Sequence, residues 1–421
     1  MLRLKRRARA QVILFREGTW NLRWIITSCA LALAGFIGLL TQVPVWVQIA
    51  LGLISVTLVA MDIYNHRAES RRTHFQPRPT DDFTKVINSY TDNKEFIVRS
   101  FRAGTLIIDK SISDALLTDT FVSSSEESAY IIPYEFRSLG NLYRRTRVVR
   151  NPNAYNDPVL GFSSLSTTGP TPILKTVEAF YWDHLATDQL AMVDTRVGKE
   201  FQDNLGRSLF ITRDDELRDL SSSWILNTIG VSVLAITTDG QFVVVTQSAN
   251  NDGSVGLYAP TGSGSLEPQD YRGAYDLPAS KLFENGAMRE AAEESAIDSN
   301  EVDAVLSLGF GRWLEKAAKP EAFFIAFLNV DSHAVRRKRI PAADRPYTSL
   351  SEPRRFQLED PRQWSSHAAP DMVDAEVARS LSMPLEACLS LLAEAVESGD
   401  EEICRLLGPR LKTTLVPLNY S

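Results

Sequence analysis

Residues 283–297 read FENGAMREAAEESAI and predict an acidic amphipathic helix. Glu290, Glu293 and Glu294 are three and four positions apart, so they share one face of that helix. Like charges so placed repel each other unless a cation lies among them, and hard divalent ions such as Mg²⁺ take oxygen ligands from such a group. The spacing therefore allows two interpretations, a magnesium site at these glutamates or a solvated acidic helix face.

The segments around this helix predict a sheet. Residues 227–248 contain two β-rich runs joined at Asp239-Gly240, a dipeptide suited to a tight hairpin turn. The other predicted elements are a glycine-rich loop at 260–264, apolar strands at 304–313 and 320–330, and a C-terminal helix at 385–398. Residues 81–226 are mixed, with strands predicted at 94–108 and 128–136 and a helix at 176–193.

This order of elements resembles the Nudix domain, whose signature is Gly-x5-Glu-x7-Arg-Glu-U-x-Glu-Glu-x-Gly-U, with U a bulky aliphatic residue. The likeness covers residues 227–398 and implies an α/β/α sandwich. Matching positions are Arg289, Glu290, Glu293, Glu294 and Ile297. The resemblance implies Mg²⁺ at the three glutamates, and phosphate binding by the helix N-terminus and the loop glycines Gly262 and Gly264.

Four positions depart from the signature. Tyr275 stands where the signature has its first Gly, and Lys281 where it has its first Glu. Ala291 stands at the position of an aliphatic residue, and Ala296 at that of the last Gly. Either Glu284 replaces the first Glu, or Gly262 and Glu267 form the first half and residues 268–283 are an insertion. The departures affect hydrolysis, which needs a closely held metal cluster, more than the fold or ligand binding.

Two apolar segments near the N-terminus predict a membrane α-hairpin. Residues 24–40 and 43–61 carry no charge and would be roughly 26 and 28 Å long as helices, close to the thickness of a bilayer core. Basic residues flank both ends of the pair, which predicts an inner-membrane protein with both termini in the cytoplasm. A cleaved export signal and a buried soluble hairpin are the alternatives.

The fold class expected is thus a two-helix transmembrane hairpin followed by a cytoplasmic α+β body. Its predicted parts are the basic N-terminus with the hairpin (1–64), a linker (65–80), a lead-in α+β region (81–226) and the Nudix-like domain (227–421). The whole chain has a net charge of −7, and residues 1–64 carry +5, so the body is acidic. That charge argues against DNA or RNA polymers as partners.

A membrane hairpin joined to a Nudix-like domain resembles the transmembrane Nudix effectors of CBASS, a class of bacterial anti-phage systems. The resemblance implies that the body senses a cyclic oligonucleotide made by a cGAS-like nucleotidyltransferase. The membrane helices would then assemble as a homo-oligomer in the lipid bilayer and kill the infected cell. Ala30, Ala34 and Gly38 form a small-residue stripe suited to such assembly, or to packing on the second span.

The ligand phosphates would need donors beyond the loop glycines. A basic run in the acidic body supplies candidates, Arg336, Arg337, Lys338 and Arg339, although an exposed loop without a special role is the alternative. Two other functions stay open. One is a membrane-tethered hydrolase of nucleoside diphosphate derivatives, in which Mg²⁺ polarises phosphate and activates water. The other is a membrane scaffold with an inert Nudix-like fold.

Overall fold

The computed structural model describes residues 73–77, 83–118, 120–150, 156–166, 172–197, 200–202, 205–248, 256–274, 276–342, 344–413 and 415, and scattered residues between 44 and 61. The described strands are β1 (Thr73–Pro77), β2 (Phe96–Phe101), β3 (Gly104–Asp109), β4 (Val122–Ser125), β5 (Pro158–Ser166), β6 (Ile173–Phe180), β7 (Val193–Val197), β8 (Glu200–Gln202), β9 (Gly230–Ile236), β10 (Gln241–Gln247), β11 (Tyr258–Ala259), β12 (Gly262–Ser265), β13 (Asp276–Pro278), β14 (Val302–Trp313), β15 (Lys319–Leu328) and β16 (Thr348–Arg355).

The described α-helices are α1 (Thr84–Thr91), α2 (Lys110–Leu117), α3 (Tyr134–Arg150), α4 (Tyr181–His184), α5 (Leu205–Ser208), α6 (Ala279–Ser295), α7 (Ser332–Arg336), α8 (Ala375–Arg379), α9 (Met383–Ser398) and α10 (Glu401–Arg410). Helix α4 continues into a π-helical turn at Leu185–Gln189.

A mixed sheet of nine strands organises the body. Its order is β11-β10-β9-β15-β14-β3-β2, with β12 also paired to β9 and β16 also paired to β10. Strands β9 and β15 run parallel at its centre, and both are apolar along nearly their whole length. Continuous apolar runs are typical of parallel strands that are covered on both faces.

The two faces of this sheet are covered by different helices. Alternate residues of β9 and β15 point to opposite faces, so Leu234 and Phe323 join the core beneath α9, whereas Val233 and Phe324 join the core beneath α6. Helix α6 contributes Leu282, Phe283, Ala287 and Ala291 to its core. The sheet is therefore sandwiched between α6 and α9.

Strands from both sides of residue 226 share the two larger sheets. Strand β3 pairs with β14, with Ile107 opposite Arg312. Conversely, β13, which lies after residue 226, pairs with β4, which lies before it, in a four-stranded sheet of order β13-β4-β6-β5. A third, smaller sheet has the order β1-β7-β8. The predicted lead-in region and the predicted Nudix-like region thus contribute strands to each other.

The predicted membrane α-hairpin is contradicted. A helix that crosses a bilayer needs about 20 consecutive, mostly apolar residues. No helix in the described residues is long and apolar enough, and the longest whose bounds are given, α3 and α6, have 17 residues and carry many charges. The predicted first span, residues 24–40, lies outside the described residues. The predicted inner-membrane location and lipid partner stay predictions.

Several local predictions can be compared with the structure. The hairpin at Asp239-Gly240 is confirmed, since β9 and β10 pair antiparallel and Gly240 has a φ of 75°. The strands at 94–108 are confirmed as β2 and β3. The strand at 128–136 is wrong, because helix α3 begins at Tyr134. The helix predicted at 176–193 is wrong at its start, because strand β6 extends to Phe180, and it is confirmed from Tyr181 to Gln189.

Candidate functional site

Helix α6 lies directly against strand β12 because two glycines leave no side chain between them. A Cβ atom at Gly262 would overlap the backbone nitrogen of Ala291, and one at Gly264 would overlap the carboxylate of Glu290. The segment predicted as a glycine-rich loop is therefore a strand, paired to β9 and covered by α6. The phosphate-binding role expected of Gly262 and Gly264 stays a prediction.

The guanidinium of Arg289 lies among carboxylates. Its Nε donates to Asp270 Oδ1 at 2.9 Å, and its Nη1 donates to Glu290 Oε1 at 2.9 Å and to Glu293 Oε2 at 3.1 Å. Its Nη1 also lies 3.5 Å from Glu267 Oε1. We call these five residues the Arg289 cluster. Its arginine, whose Nη2 also donates to the carbonyl of Ser265 at 2.7 Å, holds β12 and α6 together.

Acids outnumber cations at this site, and burial affects their pKa values. Burial raises the pKa of Glu290 to about 7 although Arg289 opposes the shift. Burial, reinforced by the negative charge of Glu290, raises the pKa of Glu294 well above its usual value. The pKa values of Glu293 and of nearby Asp344 are raised as well, again mainly by burial. A cation that joined these oxygens would relieve the unfavourable negative charge.

Glu294 is fixed by the sheet rather than by Arg289. The backbone amide of Ser263 donates to Glu294 Oε2 at 2.9 Å, and the hydroxyl of Thr348 lies 3.4 Å from Oε1. The carboxylates of Glu290 and Glu294 are buried, whereas 40% of the Glu293 side chain is exposed. The three predicted metal ligands therefore share the α6 face that meets β12, and Glu293 is the one that solvent reaches.

The predicted magnesium site stays a prediction. Oxygen-only donors suit Mg²⁺, and the buried surplus of acids fits a bound cation. As arranged here, however, no group of three Asp, Glu, His or Cys side chains in the described residues is placed to hold a metal ion. The guanidinium of Arg289 instead bonds to two of the three glutamates, Glu290 and Glu293.

The two acids considered for the first Glu of the signature have different surroundings. Glu284 forms an ion pair with Lys281, and both side chains are substantially exposed. Glu267 instead joins the Arg289 cluster, next to Asp270 in the short 3-10 turn Pro268–Tyr271. Glu267 is therefore the one that lies beside Arg289, and the resemblance to the Nudix signature stays a prediction.

The four residues of the basic run have different surroundings in the structure. Lys338 pairs with Glu301 and donates from Nζ to the carbonyl of Ala296 at 2.9 Å, so it caps the C-terminal end of α6. Arg337 and Arg339 are exposed. Arg336 donates from Nη2 to the carbonyl of Pro353 at 2.9 Å and lines an open cleft. Of the four predicted ligand residues, Arg336 is thus the one that lies in a concave site.

This cleft, which we call the arginine cleft, has a volume of about 630 Å³. Arg336, Arg354 and Arg355 line it, together with the amide side chains of Gln241 and Gln357. Arg354 is held in place by Glu352 at 2.6 Å, and its guanidinium lies 5.3 Å from the centre of the Tyr258 ring. Glu359 and Asp374 also line the cleft, and Glu352 and Glu376 pair with Arg354, so the three guanidinium groups lie among acids.

Sequence reasoning missed important members of both sites. Asp270 lies in the segment 268–283 before α6 and Asp344 lies well beyond the helix, and folding brings both to α6. Arg354 and Arg355 could have been found, because adjacent arginines after Pro353 stand out in an acidic body. Their relation to Arg336 could not, because it depends on the pairing of β16 with β10.

Comparison with known proteins identifies no family for this chain. No family model and no curated protein matches it. Among solved structures, it is similar to the crystal structure of DR0079 from Deinococcus radiodurans, with 13% sequence identity and a TM-score of 0.22 over 36% of this chain and 81% of that one. The function proposed below therefore rests on the residues of this chain.

Proposed function

We propose that this protein is a receptor for a cyclic oligonucleotide and acts as the sensing component of a CBASS anti-phage system. The observation that supports the proposal is the arginine cleft, where three guanidinium groups line a volume of about 630 Å³. Small-molecule sites commonly have volumes of roughly 300–1,000 Å³. Arginine suits this ligand class because its planar fork binds phosphate oxygens in pairs.

The neighbouring groups add features that a nucleotide needs. Arg354 is oriented by Glu352 and by the Tyr258 ring, so little side-chain freedom remains to be lost on binding. Gln357, which is exposed, offers an amide group that can pair with the edge of a base. For binding to act as a signal, the ligand must favour one state of the protein over another, and we propose that this state is a homo-oligomer.

The proposal is tested by measuring ligand binding to the purified full-length protein. Equilibrium dialysis with labelled cyclic di- and trinucleotides should detect binding that Arg336→Ala or Arg355→Ala weakens by about tenfold, the loss expected from one charged hydrogen bond. Arg405→Ala is the matched control, because Arg405 is 65% exposed on α10 and pairs only loosely with Glu402 at 3.7 Å. Analytical ultracentrifugation of the same samples reports self-association.

Two results would contradict the proposal. One is the absence of binding to every cyclic nucleotide in the panel. The other is binding that the two cleft variants and the Arg405→Ala control leave equally strong. A gene for a cGAS-like nucleotidyltransferase beside this one would support the assignment to CBASS independently.

The acid surplus at the Arg289 cluster favours a second candidate, a Mg²⁺-dependent hydrolase of nucleoside diphosphate derivatives. Glu290, Glu293 and Glu294 would hold the ion, which when bound polarises phosphate and activates water. Phosphate release that is lost in Glu293→Gln and kept in Glu284→Gln would favour this candidate over the receptor.

A further inference from the structure

Three large apolar side chains are exposed where the segment before helix α3 meets the segment at 218–225. The first segment reads Tyr-Ile-Ile-Pro-Tyr at 130–134. The exposed fractions are 72% for Ile131, 83% for Tyr134 and 44% for Trp224. We call these three residues the apolar patch. The arginine cleft and the Arg289 cluster include none of them.

Contacts between the two segments bring the patch residues together. The ring of Trp224 packs on that of Phe136, which lies in the first turn of α3, with ring centres 5.5 Å apart. Ile131 lines a small cavity together with Ser223 and Ile225, the residues on either side of Trp224. The three exposed side chains therefore lie on one region of the surface.

The patch is held in a fixed shape by two arginines. The guanidinium of Arg218 lies 4.5 Å from the centre of the Trp224 ring, and its Nε donates to the carbonyl of Ser208 at 2.9 Å. Arg137 donates from Nη2 to the carbonyl of Ile132 at 3.1 Å, next to the start of α3. Little side-chain freedom is left to lose when this surface becomes covered.

The charges beside the patch are of both signs. Arg137 and Arg218 provide two cations, and the exposed acids Glu127 and Asp219 belong to the same two segments. A two-fold pairing places the same surface of each copy against the other, so that surface must be complementary to itself. Equal numbers of cations and acids around an apolar centre meet this requirement, which favours a second copy of the chain as the partner.

The size of the patch suits a reversible interface. Large aromatic side chains cover about 150–250 Å² each, so the exposed parts of the three side chains present roughly 400 Å² of apolar surface. A standard interface buries about 800 Å² on each partner, of which about 56–58% is apolar. The patch thus supplies most of the apolar area that such an interface needs, and far less than a permanent dimer would bury.

We propose that the apolar patch is the surface through which two copies of this protein associate about a two-fold axis. Its side chains exclude water at the centre, and Arg137 and Arg218 of each copy face Glu127 and Asp219 of the other. The inference deepens the homo-oligomer of the receptor function, and it rests on that function only for the use made of the dimer in signalling.

Sedimentation equilibrium of the purified full-length protein, without nucleotide, tests this assignment. The protein should associate reversibly as its concentration rises. Ile131→Lys and Tyr134→Lys should each weaken association by at least tenfold, because each places an unpaired charge at the apolar centre. Both side chains are exposed, so folding should be kept, which thermal unfolding checks. Leu350→Lys is the matched control, since Leu350 is 47% exposed on β16 and lies outside the patch.

Three outcomes would overturn the proposal. One is a monomer at every concentration, and another is association that the patch variants and the Leu350→Lys control leave equally strong. The third is flotation with phosphatidylcholine vesicles that Tyr134→Lys abolishes, which would indicate a membrane-binding surface. Because the samples contain no nucleotide, the test can succeed or fail independently of the receptor function.

Discussion

The backbone amide of Ser263 and the carboxylate of Glu294 form a hydrogen bond of 2.9 Å that joins strand β12 to the last turn of helix α6. This bond brings a buried acid within range of a second one, Glu290, whose negative charge contributes to the raised pKa of Glu294. Holding Glu294 close to Glu290 therefore raises the electrostatic free energy of the folded protein whenever both carboxylates are ionised.

Protonation of Glu290 should make stability depend on pH. Its pKa is raised from 4.5 to about 7 on folding, so the folded state keeps a proton that the unfolded chain loses first. The contribution to the free energy of unfolding is complete below about pH 4.5 and is lost as pH rises through about 7, with a magnitude on the order of 3 kcal/mol. Urea unfolding with a chelator present should show that Glu290→Gln reduces this decline, to which Glu294 also contributes, whereas Glu284→Gln keeps it in full.

Removal of Arg289 should destabilise the protein strongly. Arg289→Ala leaves the carboxylates of Asp270 and Glu290 buried without their cation, and breaking a buried pair in this way costs about 3–5 kcal/mol. Arg362→Ala provides the comparison, because Arg362 is 66% exposed in its pair with Asp360 and its removal should leave stability nearly unchanged. Equal losses in the two variants, measured by chemical unfolding, would refute the role given to the Arg289 cluster.

Gly262 should tolerate no side chain. Gly262→Ala places a methyl group against the backbone of Ala291, and α6 must move away from β12 to admit it. Overpacking of this kind costs about 1–3 kcal/mol. Ser263→Ala, at the next position of β12, keeps the backbone hydrogen bond to Glu294 and should be nearly neutral in thermal unfolding. Similar melting temperatures for the two variants would contradict the close approach of helix and strand.

Ala296→Gly should stabilise the protein, whereas Ala292→Gly should destabilise it. Ala296 ends α6 with a φ of 56°, in the left-handed region that favours glycine. Ala296→Gly should therefore add about 0.5–1 kcal/mol to the free energy of unfolding, whereas Ala292→Gly, inside the same helix, should remove about 1 kcal/mol.

Local patterns predicted the centre of the fold well. The β9–β10 hairpin and helix α6 follow from alternation, a turn dipeptide and a helical period, all of which act over a few residues. The strand predicted at 128–136 is wrong because helix α3 begins at Tyr134, and the apolar side chains of Ile131 and Tyr134 are exposed rather than packed in a sheet. The membrane hairpin is contradicted by the described residues, in which no helix is long and apolar enough to cross a bilayer.

The candidate site was predictable only in part. Three glutamates on one helix face could be read from spacing, but Arg289's pairing with Asp270 depends on a turn 19 residues earlier in the chain. Arg312 lies in an apolar segment that predicted a strand, and its hydrogen bonds to the carbonyls of Ala318 and Arg218 depend on the fold rather than on sequence order.

The exchange of strands across residue 226 affects how the molecule can be handled. A gene cut at that position would yield one fragment that lacks the partner of β3 and another that lacks the partner of β13. Each piece would display unpaired backbone edges, which promote aggregation. Co-expressed, the same two pieces could recover solubility by completing each other's sheets, as in a split reporter.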